Sequence, residues 1–594
     1  MSRLWSVAVA CVASWCATVV ADGPAPFRNL APDTTYIMVS ADTWSKAVEA
    51  WEKTGLSGLM NTDAMQKVLG KDGARGSMEK HLKELGVPEG SVSWPDAFGA
   101  AMYAVHNTEL DTDESNMVFY GDWGTRADAM SKVVDALMNE AVKEDKWKLE
   151  TGDQIAGRDV ITIVLPESER DKALRERFGQ GLRVEVGRRT EKLFYVRDGA
   201  RFLMGTDRGG LEDVLEALDG KRKCKVPEQK EFQGAMDQLG QQDLSVIVLT
   251  APMQGVVDAA GGGMMAAFQP MVQLFLGDVQ AWSMGMHLMG SQGQVEISAS
   301  ALLPGAPTGV WKLLGPAAPV DKPPAVVGGD AVSFYRMNVQ FKEVMTLINT
   351  MAANLPAEMG GGKGGEMDAW LLNYGPVVSK GFEAMGPHVW STSVVRQPVT
   401  PESKVGCTVV ECTNPKAVVP MVAQMGAMVG MKPRDVDGNT LFSSEMVPMT
   451  VGISNGYMAM GDSKQVEQVM RAVGQKDLPM LADHATFKQA SGSVGSQDVL
   501  GWGYTDIVAS WKYDHEMLKA MPDESGDMEK YLEESDDSPW AKRMGYQLPD
   551  NTSELLKALE PDVVAKYLGP MVWTLRSSDK GFTVKLWLMS APGQ

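Results

Sequence analysis

The chain has 594 residues, 44% of them hydrophobic and 22% charged, with a formal net charge of −20. That length exceeds what one hydrophobic core sustains, so several domains are expected, each large enough to bury a core without staples. The acidic excess argues against nucleic-acid binding and against adsorption to anionic lipid, because both need clustered Lys and Arg.

The N-terminus carries an address. Arg3, the apolar run Leu4 to Val20 and the small-residue site Val19-Val20-Ala21 predict a secretory signal peptide over residues 1–21. An uncleaved anchor is the alternative, since the run just reaches bilayer length. Cys11 after Ala8-Val9-Ala10 adds a faint lipoprotein-like pattern. The sequence holds no second stretch of transmembrane length, so the expectation is an extracytoplasmic chain, periplasmic or secreted, with no membrane span after cleavage. Beyond the leader only Cys224, Cys407 and Cys412 remain. An odd, scattered set does not make a disulfide framework. Cys407 and Cys412 fall in one expected strand, where five residues span about 16 Å, well beyond disulfide reach.

A first α+β module is expected over residues 22–303. Thr34 to Ser40 is β-branched and aromatic and reads as a strand. Asp42 offers an N-cap, and Trp44, Ala47, Val48 and Trp51 recur at helical spacing. Met117 to Gly121 reads as a strand feeding a helix capped at Thr125, with Met130, Val133, Val134 and Leu137 on one face. Asp198-Gly199 between apolar runs predicts a hairpin. A helix with Asp207 at its cap and Leu211 to Leu218 in its body follows. Ala281 to His287 and Gln294 to Ala301 read as two closing strands.

Residues 304–328 hold six prolines and read as a semi-rigid linker. A second α+β module is expected over 329–594, and it repeats the first. Ala331 to Met337 is a strand, followed by Phe341, Val344, Met345 and Ile348 at helical spacing. The strand ending at Val410 leads to a cap at Asn414 with Pro415 at the first helical position. Asn455-Gly456 makes the hairpin, Ser463 the cap and Val466 to Val473 the helix. Met571 to Arg576 and Gly581 to Leu588 close the half. Leu211 matches Val466, and Phe232 and Phe487 then fall at the same offset. A unit copied head to tail explains this. Each module is expected to be a largely antiparallel sheet with helices packed on one face.

The candidate chemistry is thin. Gly452-Ile-Ser454-Asn-Gly456 matches the G-x-S-x-G string of serine hydrolases, but that motif needs a strand-to-helix elbow and this string runs into a hairpin. Arg197 stands where Ser454 does in the other half. Gly360 to Gly365 around Lys363 lacks the glycine spacing and the Ser or Thr of a phosphate loop, and it reads, like Gly261 to Gly263, as a loop. The histidines, His81, His106, His287, His388, His484 and His515, show no zinc-ligand spacing. Met284, Met286, His287 and Met289 form a mixed cluster of the kind that binds Cu(I), although Met284 and Met286 alternate along a strand as core fillers would. The acidic run Asp523 to Asp537 lacks the EF-hand pattern and reads as a solvated insertion; Glu109, Asp111 and Asp113 read as a turn.

Leu30-Ala-Pro-Asp-Thr-Thr-Tyr-Ile-Met-Val-Ser-Ala-Asp, then Trp44, Glu49-Ala-Trp-Glu-Lys-Thr-Gly-Leu and Asp198-Gly199 through Gly205 resemble a family of exported proteins of planctomycete-type bacteria built on a domain of unknown function. The second half departs from it, since Asp330-Ala-Val-Ser-Phe-Tyr lacks the Ala-Pro-Asp lead. The resemblance implies export and an α+β build. It implies no activity, cofactor or catalytic residue.

The resulting expectation is an exported, non-catalytic binding or scaffold protein with an envelope or extracellular partner. It has no assigned catalytic, cofactor or metal residues. The alternatives are a hydrolase with a cleft between the modules and, more weakly, a Met-rich copper protein.

Overall fold

The structure is a computed structural model that describes residues 26–68, 82–88, 90–107, 112–144, 146–166, 192–251, 277–289, 294–320, 322–324, 326–354, 366–400, 403–444, 449–473, 480–495, 497–520 and 559–591. The leader, the two Gly-rich patches, the acidic run, His81, Glu109 and Asp111 lie outside them. The chain divides into two compact units. The first holds Met1–Ser57, Leu69–Phe268 and Val279–Pro304; the second holds Gly58–Val68, Gln269–Asp278 and Gly305–Gln594.

The first unit is an antiparallel sheet with helices. Its strands are β1 (Thr35–Ala41), β2 (Ala97–Asn107), β3 (Thr112–Asp122), β4 (Lys148–Ile155), β5 (Arg158–Val164), β6 (Lys192–Asp198), β7 (Arg201–Gly205), β8 (Leu244–Leu249), β9 (Ala281–Met289) and β10 (Gln294–Leu302). Its principal helices are α1 (Trp44–Trp51), α2 (Ala127–Glu144), α3 (Arg208–Leu218) and α4 (Lys230–Leu239). The strands lie in the order β4-β5-β6-β7-β3-β2-β1-β8-β9-β10, each antiparallel to its neighbours. Alternation sets the core: Met38, Ala101, Val118, Leu203 and Ile247 point to one face and meet Leu211, Val214 and Leu215 of α3 and Phe232 and Ala235 of α4. Each fully buried Leu or Phe there contributes roughly 1.5–3 kcal/mol of transfer free energy.

The second unit holds β11 (Ala331–Asn338), β12 (Met385–Val395), β13 (Lys404–Cys412), β14 (Lys432–Val436), β15 (Asn439–Ser443), β16 (Thr450–Ile453), β17 (Gly456–Gly461), β18 (Gly501–Thr505), β19 (Leu568–Ser578) and β20 (Gly581–Ser590). Its helices include α5 (Phe341–Asn354), α6 (Glu366–Glu383), α7 (Pro415–Ala427), α8 (Ser463–Ala472), α9 (Ala485–Val494), α10 (Ile507–Ala520) and α11 (Pro561–Tyr567). The strand order is β14-β15-β16-β17-β13-β12-β11-β18-β19-β20, again antiparallel throughout. Strand for strand, the succession is that of the first unit. The outermost strands β4 and β14 are charged and exposed, and β14 carries Pro433, which lacks an N–H to offer a further strand.

Several local expectations shift. The sequence pattern predicts helices on one face only. In the second unit Val409 packs toward Val466 and Met470 of α8 and Phe487 of α9, whereas its neighbour Val410 packs toward Met345 of α5, Val378 of α6 and Val418 of α7. Adjacent strand residues point to opposite faces, so both faces are covered. The cap of α8 is Asp462, which accepts from the Gln465 N–H at 3.0 Å, while Ser463 opens the helix. Asp207 accepts from the Gly210 N–H at 2.8 Å as expected. Thr43 takes the N-cap position of α1 in place of Asp42, and Thr125 lies inside a short 3-10 turn ahead of α2. Asn414 and Pro415 stand where expected, although the Asn414 side chain makes no cap bond. Both hairpins form. Gly199 (φ +60°) and Gly456 (φ +101°) supply the left-handed residue of each turn, the part a side chain would strain.

The Pro-rich stretch is built into the second unit rather than running free. Val326 and Val327 join its core, and Ala318 bridges to Val499 with N–H to O distances of 3.0 and 2.8 Å. Arg336, 1% exposed on β11, donates to Pro319 O at 2.9 Å and Ala318 O at 3.3 Å. Asn338 donates to Pro316 O at 2.6 Å. Proline restricts φ but leaves the carbonyl free to accept, and here those carbonyls are the acceptors. Among the described residues no helix is long and apolar enough to cross a membrane.

Candidate functional site

Ser454 sits at the hairpin between β16 and β17, 5% exposed, with its backbone N–H and its hydroxyl both directed at Tyr457 O, at 2.9 and 3.3 Å. The motif glycines have other work. A Cβ on Gly452 would press on Val466 and Met470 of α8 at 2.8 Å, and Gly456 makes the turn. No strand-to-helix elbow exists there, so the string is a packing and turn device. By strand register the first-unit counterpart of Ser454 is Asp198, opposite Arg201, and not Arg197, which matches Ile453. Arg197 pairs with Asp128 and lies over the Phe202 ring, 5.8 Å from its centroid.

The described histidines are separated from one another. His106 is exposed on β2, in register with Asp113 of β3, which is therefore a strand residue and not part of a turn. His287 Nδ1 lies 2.9 Å from Asp243 Oδ2, which also accepts the Leu288 N–H at 2.7 Å. His388 Nδ1 lies 3.1 Å from Asn338 Oδ1. His484 precedes α9, and the ring of the buried His515 lies tilted beside Trp511, centroids 6.5 Å apart, with Glu560 3.9 Å away. Among the described residues no group of three or more His, Cys, Asp or Glu is placed to hold a metal ion.

The Met-rich cluster does not converge. Met284 and Met286 point to one face of β9 and His287 and Met289 to the other, because neighbours on a strand alternate. Met284 is also 54% exposed, so it does not fill a core. The thiols are structural: Cys224, Cys407 and Cys412 are free and buried. Burial pushes the Cys407 thiol up to about 12, and it raises the other two. Cys224 donates to Ala31 O at 3.0 Å.

What the charged residues build is a set of ties invisible to local sequence patterns. In the first unit Arg158 of β5 grips Asp219, just past α3, through two bonds of 2.5 and 2.8 Å, and reaches Asp198 at 3.4 Å. Arg201 joins Asp198 to Asp122, and Arg126 pairs with Asp96 at 2.5 Å. Hydrogen bonds from Arg158 and Lys221 hold the Asp219 carboxyl far below the usual carboxylate range. Arg208 at the start of α3 pairs with Asp153 on β4. In the second unit Arg434 of β14 pairs with Glu467 of α8, and Arg396 with Asp462. The Arg158–Asp219, Arg208–Asp153, Arg434–Glu467 and Arg396–Asp462 pairs fasten the sheet to the helix that follows the central hairpin of each unit, whereas Arg201 ties neighbouring strands to one another.

One surface feature remains. Among the described residues the exposed large apolar side chains on strands are Met284 of β9, Ile297 of β10, Tyr335 of β11 and Val584 of β20, at 54%, 41%, 39% and 38%. In the first unit Ile297 is in register with Met286, and Met284 with Val246. In the second, Tyr335, Gly503, Trp573 and Leu586 form one cross-strand row, with the Tyr335 and Trp573 rings 6.4 Å apart. The β1-β8-β9-β10 and β11-β18-β19-β20 groups thus each carry a half-exposed apolar strip. Alternation along the strands predicts which residues share a face, but not that the face stays partly open.

No family model matches the chain, and no curated protein matches it. Among solved structures it is similar to crystal forms III and I of TP0453, each at 13% identity, with TM-scores of 0.24 and 0.23. The matches cover 46% of this chain and 82% and 81% of those chains. Likeness at that level assigns neither fold nor function to this chain.

Proposed function

We propose that this chain is an exported, non-catalytic binding or scaffold protein of the bacterial envelope, made of one module written twice. The observation that carries the reading is that, among the described residues, the candidate serine, thiols and His287 are bound up in the fold. Ser454 is tied into its own turn, His287 is bonded to Asp243, Cys224, Cys407 and Cys412 are buried, and the Arg158–Asp219 and Arg434–Glu467 pairs join sheet to helix. The common strand succession supports duplication. Two similar units offer a partner two similar surfaces, and linking them raises the effective concentration of the second contact. The leader pattern of residues 1–21 supports extracytoplasmic placement, and the net charge of −20 supports a partner other than nucleic acid.

The test uses tagged residues 22–594. The chain is first screened against ester, peptide, phosphoester and glycoside substrates, then used to capture partners from the envelope fraction. The expected result is no turnover above buffer and one stoichiometric partner, retained equally by Ser454→Ala and His287→Ala. Turnover that either substitution abolishes overturns the reading.

A further inference from the structure

We draw no further inference here: the strongest candidate, the half-exposed apolar strip that Met284 and Ile297 form on β9 and β10 of the first unit and Tyr335 and Val584 form on β11 and β20 of the second, carries nothing because nothing among the described residues shows what covers it.

Discussion

Arg336→Met tests whether the Pro-rich stretch belongs to the second unit. The guanidinium is 1% exposed and donates to Pro319 O at 2.9 Å, to Ala318 O at 3.3 Å and to Val499 O at 3.5 Å. The last two carbonyls keep other partners, because Ala318 and Val499 also bond each other through their backbones. Pro319 O is the acceptor that loses a short bond. A charge-assisted bond is worth about 1.5–3 kcal/mol, and because Pro319 is exposed its carbonyl passes to water when the bond is removed, so no buried-acceptor penalty is added. Part of this is offset because the variant no longer buries a cation. The net loss is about 1–2 kcal/mol, or roughly 2–6 °C in Tm at about 2–3 °C per kcal/mol for a unit of this size. The assay is calorimetry together with hydrogen exchange of residues 314–320. The expected outcome is a lower Tm, with faster exchange at the Ala318 amide and the matching Val499 amide. If exchange there is unchanged and Tm moves by less than about 1 °C, the stretch is not held by Arg336 and the reasoning fails.

The matched core positions Leu211 and Val466 are both 0% exposed. Leu211→Ala should destabilise by about 2–5 kcal/mol and Val466→Ala by somewhat less, since one fewer carbon is deleted; urea unfolding of each variant checks this. Removing the helix caps by Asp207→Ala or Asp462→Ala should cost about 0.5–2 kcal/mol each in the same assay. Burial alone would raise the Asp462 carboxyl, but Arg396 and the Gln465 and Lys464 N–H groups together hold it below its ordinary value. Its contribution is therefore present above about pH 4 and is lost as pH falls below that. Asp462→Asn should flatten that limb of the stability–pH curve, and an unchanged acid limb would count against the pairing. Cys224, Cys407 and Cys412 should stay unlabelled by a thiol reagent at pH 8 in the native protein and react fully in denaturant, read by peptide mass spectrometry.

Legibility followed the range of the interactions. Asp198-Gly199 and Asn455-Gly456 mark their hairpins because a turn's backbone demand is local. The helix at Leu211 shows its buried face in its own spacing, as does the one at Val466. β4 and β14 escape such reading: Lys148 to Ile155 and Lys432 to Val436 are largely polar, since an outermost strand has little apolar surface to bury. The stretch 304–328 looks like a spacer because proline content reports backbone stiffness and says nothing of a buried Arg336 waiting for carbonyls. The second helix-bearing face of the sheet was hidden for a similar reason. A strand such as Val405 to Cys412, buried on both sides, loses the alternation that would reveal one side. The ties from Arg158 to Asp219 and from Arg434 to Glu467 join residues far apart in the chain, so no spacing rule points to them. At the candidate site, the hairpin context of Ser454 was readable, but the bond from His287 to Asp243 was not.

A crystal structure of residues 22–594 bears most directly on the proposal of one module written twice. Superposing the two units should bring β1–β10 onto β11–β20 in order, with Gly199 near Gly456, Asp207 on Asp462 and Phe232 on Phe487. Units whose strands connect in different orders, or in which those pairs fall on unrelated elements, would contradict it.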